Sequence, residues 1–288
     1  MNTDDSLVET ILAESRRFMV PLYQRKYQWD DALLNRFWDD VEAKATEVLE
    51  GNARFQHYMG ALILAPLGEE SQIGVTPRVQ VVDGQQRLTA FQLFLAALRE
   101  VARHHELPHL MEQVNGYLFN APRSKDTDPL VRFKLTPTPS DREVFHDIAE
   151  AEYSKVRTKC QKYYWGKGVP KNTPIPALRA YDVFRRLISQ FALTGPSDAE
   201  RDTEADDAVE NGADSPEVVE QRLDALLSAL LEQMKLVMIT LGEDDDAQEI
   251  FETLNSQGKP LLAMDLVRNN IFHRAAALLH KSSEGFTL

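Results

Sequence analysis

The sequence predicts an α+β fold in which a small mixed β-sheet is combined with a large helical portion. Three apolar segments, at residues 55–64, 79–82 and 236–241, have the length and bounding turns of strands. Apolar residues recur at helical spacing through most of residues 110–190 and again through 218–233. Short strands beside long helical stretches indicate the α+β class.

The predicted elements can be followed along the chain. Leu7, Val8, Ile11 and Leu12 form a short amphipathic opening, and residues 18–20 are extended because Pro21 disfavours helical geometry before it. Asp30 or Asp31 can cap the next helix, whose apolar residues repeat at helical spacing. The strand at 55–64 has the strand at 79–82 as its expected partner. A strongly apolar helix, from about residue 86 to 103, follows and is expected to lie in the core.

Length and composition limit the classes of protein to consider. A chain of 288 residues can bury a substantial core as one large domain or two smaller ones. Its formal net charge of -13 argues against nucleic acid wrapped over the whole surface but leaves local basic patches open. The single Cys160 excludes a disulfide framework and any multi-cysteine zinc site. No signal peptide or membrane-length apolar run is present, so we expect a cytoplasmic protein without membrane contact.

Composition shifts divide the chain into four predicted parts. Residues 1–150 carry the predicted strands at 55–64 and 79–82 and form the core, and residues 151–195 are helical and locally basic. Residues 196–216 are acidic and nearly free of large apolar groups, which predicts a disordered loop. Residues 217–288 form a helix-strand-helix part that closes the same domain.

The segment with the most concentrated polar chemistry is Asp83-Gly84-Gln85-Gln86-Arg87, between a buried strand and a buried helix. The first N–H groups of a helix lack partners within it, so such a turn is suited to binding an anion. A capping box, with Asp83 as the N-cap and Gln86 as its partner, is the structural alternative. Arg87 opposes the helix dipole and therefore requires an anionic partner, either a protein carboxylate or a ligand.

A basic stretch between Lys155 and Arg186 includes Lys159, Lys162, Tyr164 and Trp165. Basic residues interleaved with aromatic ones can track a nucleic-acid backbone and stack on its bases. A solvated helix with a hydrophobic underside explains the same pattern and is the favoured interpretation. His57, alone on a strand, is expected to be structural.

One metal-binding motif is rejected on physical grounds. Residues 105–109 match the letters H-E-x-x-H, in which both histidines must share one helical face. Pro108 lacks an N–H and clashes with the preceding turn, so this helix would be interrupted inside the motif. The match is therefore interpreted as accidental.

Three motifs together resemble a known family. They are the segment from Pro21 to Trp29, the segment from Asp83 to Thr89, and the segment from Phe251 to Leu261 with Asp265 to Asn269. In this order they resemble the N-terminal domain of GmrSD-type, modification-dependent restriction proteins. The resemblance extends from residue 18 to residue 272 and implies a nucleotide-binding fold of the ParB/sulfiredoxin type.

The resemblance also implies a bacterial anti-phage function. The domain would bind and hydrolyse a nucleoside triphosphate with Mg²⁺, and would gate a nuclease of the HNH type that cleaves modified phage DNA. The sequence contains no His/Asn arrangement of the HNH kind, so that nuclease is expected C-terminally of this chain or on a partner subunit. Self-association into a homo-oligomer is left open.

Site residues follow from the matched motifs. The family motif carries over onto Gln24, Arg25, Asp83, Gly84, Gln85, Gln86 and Arg87. Arg25, Arg87 and the backbone N–H groups after Gly84 would bind phosphates. Asp83 would hold Mg²⁺, and Gln85 or Gln86 would orient the attacking water.

Further residues are expected to contribute from other segments. Asn255, Arg268 and Asn269 would complete the nucleotide pocket, although a local cap and a surface salt bridge explain them equally well. Sensing of phosphorothioate or glucosylated DNA is expected to involve Tyr23, Gln24, Arg25, Lys159, Lys162, Tyr164 and Trp165.

Three functions remain open. The leading hypothesis is a regulatory NTPase domain of a DNA-restriction system. The second is a sensor that binds modified DNA without nucleotide turnover. The third is an interaction scaffold in which Arg87 only pairs with an internal carboxylate.

Overall fold

A mixed sheet of six strands organises the fold. The computed structural model describes residues 2–67, 72–160, 175–196 and 215–242, together with residues 245, 247 and 250. The strands are β1 (Asn2–Leu7), β2 (Arg17–Met19), β3 (His57–Pro66), β4 (Arg78–Asp83), β5 (Leu135–Thr136) and β6 (Met234–Thr240), in the spatial order β1-β6-β3-β4-β2-β5. The β1–β6 and β3–β4 pairs are antiparallel, and the other three are parallel.

Helices cover one face of this sheet. They are α1 (Val8–Ala13), α2 (Asp31–Leu49), α3 (Gln85–His104), α4 (Pro108–Leu118), α5 (Pro139–Glu150), α6 (Tyr153–Lys159), α7 (Pro176–Thr194) and α8 (Pro216–Ser228), with a 3₁₀ turn at Pro129–Arg132 and a π-helical turn at Ala229–Gln233. Helix α3 packs against α4 and α7, and α2 packs against α8. The rings of Phe37, Phe94 and Phe184 meet with centroids 5.5–5.8 Å apart, which joins α2, α3 and α7 at the centre of the core.

The two faces of β3 serve different clusters. Leu62 and Leu64 belong to the main core beneath the helices, whereas Ile63 and Ala65 belong to a smaller cluster on the opposite face. This division follows from the two-residue period of a strand. The smaller cluster also includes Val82 and Leu241.

The predicted fold class is confirmed: the chain combines helices with a mixed sheet. Strands β3 and β4 pair as expected, and α3 is buried on nearly every side, as its apolar pattern predicted. Asp30 is the N-cap of α2, and its carboxylate accepts from the Leu33 N–H at 3.0 Å. The ParB/sulfiredoxin type and the division into four parts remain predictions.

Two strands were not predicted. Strand β1 has the polar sequence Asn-Thr-Asp-Asp-Ser-Leu, and most of its side chains are exposed at the sheet edge. Its pairing with β6 involves backbone groups, so no apolar alternation marks it in the sequence. Strand β5 has only two residues and is too short to show a period.

The helix break within residues 105–109 is present. Helix α3 ends at His104, Glu106 has a positive φ of 56°, and α4 begins at Pro108. The H-E-x-x-H letters therefore begin after α3 has ended and finish in the first turn of α4, so the two histidines do not share one helix. Within the described part of the chain, no helix combines the length and apolarity needed to span a bilayer. The predicted acidic loop at 196–216 lies almost entirely outside the described residues, as does the final predicted helix near residue 263.

Candidate functional site

A cavity of about 480 Å³ lies where β4 ends and α3 begins. This volume is within the range of small-molecule sites. Its walls come from the Gln24–Trp29 segment, one face of α2, the start of β3 and the Asp83–Arg87 turn. The lining residues are Gln24, Arg25, Trp29, Leu33, Arg36, Phe37, Asp40, His57, Tyr58, Met59, Asp83, Gly84, Gln85, Gln86 and Arg87. Seven residues predicted from two distant motifs therefore meet in one place.

Gly84 makes the turn into α3 possible. Its φ is 91°, and an added Cβ would lie 3.0 Å from the Ala61 carbonyl oxygen, so glycine is required on both grounds. Gly84 is the N-cap residue, and no described side chain caps the helix. The capping box that the sequence offered as an alternative, with Asp83 as the N-cap, is therefore not formed. The first N–H groups of α3 have no side-chain cap from the described residues at the cavity wall.

The amides of this turn hold the neighbouring segment in place. Gln85 Nε2 donates to the Arg25 carbonyl at 3.0 Å. Gln86 Nε2 donates to the Lys26 carbonyl at 3.1 Å, and its Oε1 accepts from the Gln28 N–H at 2.8 Å. Both side chains thus fix the backbone of residues 25–28 against the start of α3. A direct role in orienting water stays a prediction.

Gln24 fastens the same segment to the sheet. Its side chain is buried, and Nε2 donates to the carbonyls of Val81 and Val82 at 2.9 and 2.7 Å. These contacts satisfy carbonyls near the end of β4 and leave the following Arg25 at the cavity.

Arg87 lies across a bulge in β3. The ladder of β3 and β6 shifts register between Tyr58 and Ala61, and Gly60 in this bulge has a φ of 97°. The guanidinium donates to the carbonyls of Met59, at 3.3 Å, and Ala61. A Cβ on Gly60 would lie 2.5 Å from Arg87 Nη1, so the glycine makes room for the guanidinium.

Asp83 provides Arg87 with a carboxylate neighbour. Arg87 Nη2 lies 3.6 Å from Asp83 Oδ2, and the Asp83 side chain is 47% exposed. Burial lowers the pKa of Arg87, and Asp83 partly opposes this effect. Arg87 therefore has the internal anionic partner that the sequence left open, but this carboxylate is itself accessible from the cavity.

Two other arginines line the cavity and, unlike Arg87, have exposed side chains. Arg25 and Arg36 are both exposed, and neither forms an ion pair with a described residue. Arg36 was not predicted from the sequence. It could have been identified from its position on α2 between Leu33 and Asp40, because residues three and four positions apart share a helix face. The cavity thus contains cationic groups that are not neutralised within the described structure.

Asp40 and His57 form a second unpredicted pair. His57 begins β3, and its Nε2 lies 3.4 Å from Asp40 Oδ2 on α2. Both side chains line the cavity and are partly exposed, at 35% and 28%. His57 had been expected to be only structural. The two residues are seventeen positions apart, on α2 and β3, so no local pattern in the sequence places them together.

Trp29 forms an aromatic part of the wall. Its ring lies against Phe37, with centroids 5.8 Å apart, and near Tyr27, at 6.2 Å. This packing holds a large planar side chain at the cavity, where an aromatic ligand such as a nucleobase can stack.

The carboxylates that line the cavity and could contact Mg²⁺ are Asp40 and Asp83. Among the described residues, no group of three or more His, Cys, Asp or Glu side chains is arranged to hold a metal ion. Mg²⁺ in nucleotide sites commonly uses one or two carboxylates and takes its remaining ligands from phosphate and water. The accessible Asp83 carboxylate fits that limited role.

Of the residues expected to sense DNA, Gln24 and Arg25 line the cavity, and the other described ones lie elsewhere. Tyr23 contacts the smaller cluster on the opposite sheet face, and its hydroxyl accepts from Gln80 Nε2 at 2.6 Å. Lys159 pairs with Asp147 at 2.6 Å. Residues Lys162, Tyr164, Trp165, Asn255, Arg268 and Asn269 lie outside the described residues.

Several of the described basic residues have internal partners. Lys155 lies 3.4 Å from Glu152, Arg179 pairs with Asp31, and Arg185 lies over the Tyr153 ring. This helical surface therefore satisfies part of its own charge, and the exposed Arg186 forms no ion pair with a described residue.

Comparison with known proteins gives one positive result. No match is found among the curated proteins. Residues 8–272 match the family described as the GmrSD restriction endonuclease, N-terminal domain, which covers nearly the whole chain and all three motifs. The chain therefore belongs to the family of GmrSD restriction endonuclease N-terminal domains and is part of a restriction system.

Proposed function

We propose that this domain binds a nucleoside triphosphate in the cavity at the start of α3 and hydrolyses it to regulate a nuclease. The observation that carries the proposal is the meeting, in one cavity, of the start of α3 with Arg25 and Arg36, where the described residues provide neither a side-chain cap nor an ion-pair partner. A helix N-terminus and arginine guanidinium groups are both strong phosphate ligands.

The residues divide into binding and supporting roles. Arg25 and Arg36 contact the phosphates, and Arg87 adds positive charge from its fixed position over β3. Asp83 holds a nucleotide-bound Mg²⁺, which neutralises phosphate charge when bound. Gln24, Gln85 and Gln86 position the segment that carries Arg25. Trp29 provides a stacking surface for the base.

Family membership supports the wider role. A GmrSD N-terminal domain in a restriction system implies a nuclease domain elsewhere in the protein or on a partner. In our proposal, nucleotide hydrolysis in the cytoplasm gates this nuclease, of HNH type, when modified phage DNA is bound. The exposed side chains of Leu22, Arg25 and Lys26 beside the cavity support a DNA contact there.

The test is a comparison of ATP, GTP, CTP and UTP, each with Mg²⁺. Thermal shift reports binding, because a ligand specific for the native state raises the melting temperature. Phosphate release is then measured with and without plain or modified DNA. Binding without release under every condition would favour the non-hydrolysing sensor. The absence of both binding and release for all four nucleotides would refute the proposal.

A further inference from the structure

We propose that His57, oriented by Asp40, is the general base that activates water for hydrolysis in this cavity. This inference rests on the proposed function. It begins from the observation that both side chains line the same cavity as Arg87 and Asp83, although neither belongs to the recognised motifs.

The polar side chains of the cavity differ in their ability to accept a proton from water. The amides of Gln85 and Gln86 are engaged with the backbone of residues 25–28, and an amide is in any case a poor base. Imidazole is the side chain that exchanges protons most readily near neutral pH. His57 is the only imidazole among the described cavity residues.

Asp40 is placed to orient the imidazole ring of His57. Its Oδ2 lies 3.4 Å from His57 Nε2, and in the proposal this carboxylate favours the neutral ring with its proton on Nε2, so that Nδ1 is the acceptor. A carboxylate in this position also stabilises the imidazolium that forms, which is the logic of a base held by a third group. Asp40 thus acts as a positioning residue.

His57 lies on the same strand as the carbonyl groups that bind Arg87. His57 lies two residues before Met59, whose carbonyl accepts from Arg87. The β3 strand therefore connects the base directly to the arginine at the start of α3. The neighbouring Tyr58 is also fixed, because its hydroxyl donates to Asp5 at 2.6 Å. The two residues that follow His57 in β3 are thereby held in place.

The reaction is balanced as a hydrolysis. The water oxygen forms a bond to the γ-phosphorus while the bond from that phosphorus to the β–γ bridging oxygen breaks. The bond electrons remain on the bridging oxygen of the departing nucleoside diphosphate. One water proton passes to His57 Nδ1 and is later released to solvent.

The test separates binding from turnover. We compare wild type with His57→Ala and Asp40→Asn, and use His104→Ala and Asp39→Asn as matched controls on exposed parts of α3 and α2. Affinity is measured with the β,γ-imido analogues of the four nucleotides and Mg²⁺, and turnover as phosphate release. A general base contributes about 10²–10⁴-fold, so His57→Ala is expected to slow release by at least about 100-fold. Affinity should stay within twofold of wild type, and added imidazole should restore part of the His57→Ala activity.

The expected pattern also includes a smaller loss of turnover in Asp40→Asn, at unchanged affinity, and full activity in both controls. Release from His57→Ala within threefold of wild type would overturn the assignment. So would a lost activity that imidazole does not restore, or a loss of analogue binding. If wild type binds no analogue and releases no phosphate, the proposed function fails and this inference fails with it, a result distinct from the variant-specific outcomes.

Discussion

Arg25 and Arg87 differ in burial and in hydrogen bonding, so their substitution is expected to affect ligand affinity and folding stability differently. Arg25 is exposed and unpaired among the described residues, whereas Arg87 is partly buried and donates to two β3 carbonyls. Arg25→Ala should therefore change the unfolding free energy by less than about 0.5 kcal/mol, as other surface substitutions do. Arg87→Ala should lower it by about 2–3 kcal/mol, because two acceptors and a charge partner are lost.

The expected effect on nucleotide affinity follows from the same contacts. A hydrogen bond to a charged group contributes about 1.5–3 kcal/mol, so Arg25→Ala should weaken nucleotide binding by about tenfold to 150-fold. Isothermal titration calorimetry measures this affinity, and urea denaturation measures the stability. Arg78→Ala is the matched control, since Arg78 is exposed at the opposite end of β4. An Arg25→Ala affinity within twofold of wild type would refute the assignment of Arg25 to the phosphates.

Three further predictions concern the frame around the cavity. Gly84→Ala should lower the free energy of unfolding, measured by urea denaturation, by about 2–3 kcal/mol. An alanine would be strained at this φ, and its Cβ would crowd Ala61. Unchanged stability would contradict the turn geometry. Phe94→Ala should cost about 3–5 kcal/mol, since it empties the centre of the aromatic core, and a loss below 1 kcal/mol would place Phe94 outside that core. Burial, with nearby arginines, lowers the pKa of His146 to about 4. The unfolded chain then binds this proton more tightly than the folded protein does. The free energy of unfolding should therefore fall as the pH decreases from about 6.5 to 4, by up to about 1.4 kcal/mol per pH unit. His146→Leu should remove this dependence.

Gln85 and Gln86, in the Asp83–Arg87 turn, were predicted to contact a ligand but bind the neighbouring backbone in the fold. From the sequence, side-chain amides beside an arginine suggested direct contact with a ligand. In the fold, Gln85 and Gln86 bind the backbone of residues 25–28, so in the proposed nucleotide site they would act by positioning Arg25. Substitution of either glutamine would therefore affect ligand binding through the neighbouring segment.

The sequence by itself determined the elements whose signals are local. The apolar period of α3, the antiparallel partners β3 and β4, and the break at Pro108 all depend on residues close in the chain. The motifs also led to the family, and residues 8–272, which contain all three of them, match it. Arg25 and the Asp83–Arg87 turn were expected to share a pocket on that basis, and they line the same cavity.

Only the tertiary structure decided which side chains are available at that cavity. The partners of Gln24, Gln85 and Gln86 are carbonyls some sixty residues away, which no local pattern specifies. The polar strand β1 is held by backbone pairing with β6, at the opposite end of the described chain. Asp40 on α2 and His57 on β3 likewise meet only in the folded chain, because the contact between them depends on the arrangement of whole elements and not on either residue's own neighbours.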